Sequence, residues 1–139
     1  MNNNKSWKSA CIIGFGAHAE LKLLPSLKNV GINVDGIISS KHDLKVNGTK
    51  IFSKIEDALR FLPKNTLYII SSPPDIHYQQ AKILVNAGKD IFIEKPAFTS
   101  LSNLNDIVNL AEKNDSLVVE MLMYLESLAV KKTIKILKE

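Results

Sequence analysis

Three short stretches hold residue types at spacings suited to chemistry on a nucleotide. "GFGAHA", Gly14 to Ala19, has the GxGxxA pattern. In it Gly14 allows a tight turn, Gly16 lets the backbone approach a pyrophosphate, and Ala19 is small enough for helix and strand to pack closely. Amides at the start of the next helix would face the phosphates, so Phe15, Ala17 and His18 join the two glycines as cofactor-binding candidates. "SSPPDIH" contributes Ser71, Ser72, Pro73 and His77, and "EKPA" contributes Glu94, Lys95 and Pro96. A lysine at a strand end beside a cofactor can have its ammonium partly desolvated and its proton made transferable, with Glu94 as a partner that holds it in place. The bland alternative is a solvated Lys-Glu pair worth little. His77 suits either packing at a helix start or direct cofactor contact, whereas His18 and His42 read as solvated.

These stretches sit at the ends of apolar runs. The runs cover Ser9–Phe15, Asn33–Ser39, Thr66–Ser71, Asp90–Glu94 and Ser116–Leu122, rich in Ile, Val and Leu without clean alternation, as suits strands covered on both faces. Helical segments lie between them. The first spans about His18 to Val30 and contains Pro25, which should bend or break it. Ser53 and Glu56 have capping-box spacing, and Asp75 stands as an N-cap before a face of Ile76, Gln80, Ile83, Leu84 and Ala87 that ends at Gly88. A fourth segment has an apolar stripe of Leu101, Leu104, Ile107, Val108 and Ala111. "KVNGTKIF" predicts a turn at Asn47 and Gly48 and a small extra strand.

Strand and helix alternating through five strands predict an α/β fold, a doubly wound parallel sheet of Rossmann type. Such sheets bind ligands at the carboxyl ends of their strands, where all three stretches lie. After the second strand, Ser39 takes the place at which an NAD enzyme carries an acid for the ribose hydroxyls. Ser39, Ser40 and Lys41 can instead donate hydrogen bonds and charge to a 2′-phosphate, so the reading favours NADP over NAD, with Asp43 close enough to restore NAD. The same absence of an acid argues against an S-adenosylmethionine methyltransferase.

Composition bounds the rest. The chain has 139 residues, 45% apolar and 23% charged, which suits one domain. Its net charge of +4 is spread along the chain, so no basic face for nucleic acid is expected. The single cysteine, Cys11, lies in an apolar run and reads as a core residue, and with three scattered histidines no metal site is indicated. No apolar stretch is long enough to span a membrane, and "MNNNKSWK" lacks the apolar centre of a signal peptide, so a cytoplasmic protein is expected.

The ordered combination of Gly14, Gly16 and Ala19, then Ser72, Pro73 and His77, then Glu94, Lys95 and Pro96 resembles the nucleotide-binding domain of the Gfo/Idh/MocA oxidoreductases, from Ser9 to about Tyr124. The resemblance implies hydride transfer between a nicotinamide cofactor and a hydroxyl-bearing carbon, commonly on a sugar, cyclitol or sugar nucleotide. It places Lys95 near nicotinamide and substrate as the catalytic group, and implies a cis Lys95-Pro96 bond. Leu125 stands where relatives carry an arginine. The domain organisation that follows is a flexible tail over residues 1–8, the NAD(P)-binding domain over 9–124, and over 125–139 a helix leading toward a substrate domain that is absent. The expected chain is therefore a fragment that binds cofactor, turns over little alone and self-associates as a homo-oligomer. A non-catalytic sensor or scaffold, with no use for Lys95, is the alternative.

Overall fold

The computed structural model describes residues 5–41 and 43–138, so His42 lies outside the described residues. Six strands form one parallel sheet: β1 Ser9–Ile13, β2 Asn33–Ile38, β3 Lys50–Phe52, β4 Leu67–Ile70, β5 Ile91–Glu94 and β6 Val118–Met121. Their order is β3-β2-β1-β4-β5-β6, with every neighbouring pair parallel. This is the Rossmann strand order, and the chain reverses direction across the sheet between β3 and β4, beside β1. The small extra strand is β3, led in by a turn in which Thr49 N–H donates to the Val46 carbonyl at 3.1 Å.

Strand pleating divides the core in two. Cys11 and Ile13 of β1 point to one face and pack with Tyr68, Ile70, Ile91 and Ile93 beneath helices α2 Ile55–Phe61, α3 His77–Asn86 and α4 Leu101–Asn114. Ala10 and Ile12 point to the other face, where Ile37, Leu67 and Ile69 meet Ala19, Leu23 and Leu27 of the first helical segment. Burial pushes the Cys11 thiol up to about 12, as befits a core residue and not a nucleophile.

Pro25 changes the hydrogen-bond register of the first helical segment without interrupting it. It has no N–H to offer the preceding turn, and the backbone ahead of it widens into a single π turn over Ala19–Leu23, in which Leu24 N–H bonds the Ala19 carbonyl. Helix α1, Leu24–Asn29, follows with Pro25 in its first turn.

Other helix starts differ from expectation. Lys54, not Ser53, precedes α2, and no side chain caps that helix, so the Ser53–Glu56 capping box does not form. Asp75 falls inside a short 3-10 turn, Pro74–Ile76, fixed by the two prolines, and α3 begins only at His77. The buried face of α3 is accordingly rotated to His77, Ala81, Leu84 and Val85, leaving Ile76 and Ile83 at the surface. Along α4 only Ile107 of the expected stripe is buried, while Leu104 and Val108 remain 42% and 45% exposed. That helix packs against α3 at the β6 edge of the sheet, and half its stripe reaches past the last strand.

Residues 5–8, just before β1, have a defined place. Asp90, just before β5, accepts from Lys5 Nζ at 2.8 Å, Trp7 Nε1 at 3.0 Å and Leu117 N–H at 2.8 Å, and the Trp7 ring meets Phe92 edge-on. Burial alone would raise the Asp90 pKa, but these hydrogen bonds and the Lys5 charge outweigh it and hold the carboxyl below its ordinary value. A folded-state pKa below the unfolded one adds stability that is complete above the unfolded value and is lost as pH falls through the folded one. Asp90→Asn is therefore expected to cost about 2 kcal/mol at neutral pH and to flatten the acid limb of stability below about pH 5, measured by urea titrations.

Candidate functional site

Three backbone hydrogen bonds beyond the strands bring four turns together at the carboxyl edge. Gly14 N–H donates to the Ile38 carbonyl at 2.9 Å, Ser71 N–H to Ile13 at 2.8 Å, and Ser39 N–H to Phe52 at 3.0 Å. The turns after β1, β2, β3 and β4 thereby converge at the point where strand order reverses. Between them lies a cleft of about 450 Å³, lined by Gly14, Phe15 and Gly16, by Ser39, Ser40 and Lys41, by Ser53, and by Ser71, Ser72 and Pro73.

The two glycines have different reasons to be glycine. Gly14 has φ +82°, and a Cβ there would lie 2.8 Å from both Cα and N of Ser72 and 2.9 Å from the Ser71 carbonyl oxygen. Its smallness lets the turns after β1 and β4 touch. A Cβ on Gly16 would meet nothing within 4 Å. Protein packing thus gives no reason for its missing side chain, whereas a pyrophosphate approaching the turn does. The Phe15 side chain is buried in the core, so it offers the cleft its backbone, and its carbonyl accepts from Lys41 Nζ at 3.3 Å. Ala17 is exposed on the same turn.

Ser53 was not anticipated as a cleft residue. Free of the capping duty its spacing suggested, it stands exposed beside Ser39, Ser40 and Lys41. Gln80 also lines the wall and accepts from the Ser72 hydroxyl at 2.5 Å.

His77 is fully buried beneath the cleft and off its wall. Its Nε2 is 2.8 Å from the Ser72 carbonyl oxygen, and its Nδ1 lies 3.1 and 3.2 Å from those of Pro96 and Ala97. The ring thus ties the turn after β4 to the turn after β5, which is the packing role. That second turn contains Glu94, Lys95 and Pro96, with a cis Lys95-Pro96 bond, and it is pinned again where Ala97 N–H donates to Glu120 Oε1 at 2.8 Å.

Glu94 does not pair with Lys95. Its Oε1 lies 2.6 Å from His18 Nε2, so the histidine read as solvated is instead half-exposed and joined to the turn after β5. Lys95 is exposed and makes no ion pair among the described residues.

A six-stranded parallel sheet in this order, with a glycine turn and cleft at the reversal point, defines a dinucleotide-binding domain. Residues 8–121 match the family described as oxidoreductases with an NAD-binding Rossmann fold, GFO_IDH_MocA, and the chain belongs to that family. No curated protein matches the chain. Among solved structures, a 3-ketoreductase variant, KijD10 of Actinomadura kijaniata, in complex with TDP-benzene and NADP, is 19% identical with a TM-score of 0.84, over 96% of this chain and 42% of that one. D-galactose-1-dehydrogenase of Rhizobium etli is 29% identical with a TM-score of 0.72, over 81% of this chain and 36% of that one. An oxidoreductase of Bacillus cereus is 24% identical with a TM-score of 0.69, over 81% and 34%. The chain thus corresponds to well under half the length of these solved chains. No helix among the described residues is long and apolar enough to cross a membrane.

Proposed function

We propose that this chain is the dinucleotide-binding part of a dehydrogenase that interconverts a hydroxyl and a carbonyl on a carbohydrate-like substrate with NADP(H). The observation that carries the reading is the cleft at the strand reversal, with Gly16 open toward it and Lys95 at the end of β5. Amides of the turn from Gly14 to His18 hold the pyrophosphate, and Ser71, Ser72 and Pro73 form the facing wall. Oxidising an alcohol removes a hydride from carbon and a proton from oxygen; a bound nicotinamide supplies the hydride acceptor. Lys95 is the group on this chain that takes the proton and orients the hydroxyl. Glu94, engaged by His18, leaves that ammonium unpaired. A carbohydrate substrate accords with the galactose dehydrogenase among the similar structures. Turnover needs pocket walls beyond these 139 residues, so the chain alone binds dinucleotide without oxidising sugars.

Ser39, Ser40, Ser53 and Lys41 at the cleft's far end, with no carboxylate among the lining residues, favour a 2′-phosphate. The expected result is NADPH bound roughly tenfold more tightly than NADH, a difference erased by Lys41→Ala, as one charge-assisted contact would give. Titration by isothermal calorimetry measures both constants. NADH binding as tight as NADPH would sink the preference and leave the dinucleotide reading intact.

A further inference from the structure

His18 and Glu94 join two turns that are not neighbours. Strand β4 lies between β1 and β5, so with adjacent strands about 4.8 Å apart the two turns start about 10 Å apart. Pleating explains how they meet. Glu94 follows Phe92 by two residues and leaves β5 on the same face, where Phe92 packs into the core beneath the first helical segment. That segment begins at Ala19, directly after His18. The Glu94 Oε1 and His18 Nε2 atoms, 2.6 Å apart, thus bridge the carboxyl end of β4, with the Glu94 side chain 14% exposed and that of His18 43%. In this contact Nε2–H donates, because an ionised carboxylate can only accept.

The position of the bridge decides what it can sense. The cleft lining includes none of His18, Glu94 and Lys95. On the dinucleotide reading above, on which this inference rests, the adenosine end and pyrophosphate occupy the cleft and the nicotinamide ring lies beyond it, against Lys95. Glu94 precedes Lys95 and so stands beside the ring. Oxidised nicotinamide carries one positive charge on that ring, reduced nicotinamide carries none, and the rest of the cofactor is the same in both. A carboxylate within about 6 Å favours the charged form, and a donor held on that carboxylate weakens the preference. Two other carboxylates lie at this edge: Glu120 is occupied by the Ala97 N–H at 2.8 Å, and Asp75 is exposed on the turn after β4.

We propose that Glu94 reads the charge of the nicotinamide ring, and that His18, by holding one oxygen of its carboxylate, sets how strongly the site prefers the oxidised cofactor over the reduced one. Glu94 is then a specificity-determining residue for redox state, and His18 a positioning residue that acts through it. Lys95 is present in every comparison below, so its own charge cancels.

Isothermal calorimetry with NADP+, NADPH and 2′,5′-ADP on the 139-residue chain tests this. The ratio of the NADP+ to the NADPH dissociation constant isolates the ring, while 2′,5′-ADP, which lacks it, reports on the rest of the site. Glu94→Gln is expected to raise that ratio about fivefold, and His18→Ala, which frees the carboxylate, to lower it about threefold. The double variant is expected to match Glu94→Gln alone, since His18 acts only through the carboxylate. Asp75→Asn should leave the ratio unchanged, and 2′,5′-ADP should bind all these chains with wild-type affinity. A ratio indifferent to either single variant, a shift by His18→Ala that persists beside Glu94→Gln, or an equal shift from Asp75→Asn would overturn the proposal. So would a parallel loss of 2′,5′-ADP affinity, which would make the pair a brace for the glycine turn. Failure of the dinucleotide reading has a different signature: the wild type would bind none of the three ligands, and the proposal would fall with it.

Discussion

Gly14→Ala is expected to cost about 4 kcal/mol of folding stability, from two contributions that act together. An L side chain at φ +82° carries roughly 1–3 kcal/mol of backbone strain. The new methyl would also stand 2.8 Å from the Ser72 backbone, and overpacking of this kind costs another 1–3 kcal/mol. The obstruction is main chain, pinned by the Ser71 N–H bond to Ile13 and by His77 on the Ser72 carbonyl, so no flexible side-chain end can move aside. Urea titration measures the loss, and a midpoint within error of wild type would mean that the turns after β1 and β4 do not touch.

Gly16→Val should do the opposite. Nothing lies within 4 Å of its Cβ direction, and Gly16 is not among the glycines of positive φ, so stability should stay within about 1 kcal/mol of wild type. Dinucleotide binding should fall about 100-fold or more, because the side chain fills the space in which phosphate oxygens meet the turn amides. Losing even one or two charge-assisted hydrogen bonds is worth that much. A stable variant that binds NADPH as the wild type does would remove the pyrophosphate from this turn. The pair of variants separates a glycine needed by the fold from a glycine needed by a ligand, two residues apart.

Much of this was legible because it is local. The apolar runs gave the strands, since a parallel sheet buries both faces and leaves no alternation to confuse with a helix. Pro25 announced a disturbance of its helix, and Gly14, Gly16 and Ala19 announced the turn, because those residue types answer to backbone geometry within a few positions. What escaped depends on contacts between distant segments. His18 meets Glu94 across 76 positions, and Trp7 meets Asp90 across 83, pairings that no periodicity encodes. Ser53 looked like a cap because its spacing to Glu56 is right, but α2 begins one residue later than that motif requires. The α4 stripe was legible as apolar, but not how much of it is covered. Its outer half faces no further strand, and a sequence does not say where a sheet ends.

The chain's central property is a dinucleotide site at the reversal of its strand order, and equilibrium binding tests it most directly. Titrating NADPH into the 139-residue chain by isothermal calorimetry should give saturable binding at one site per chain. The absence of any binding at millimolar NADPH and NADH, with the chain folded by circular dichroism, would contradict it.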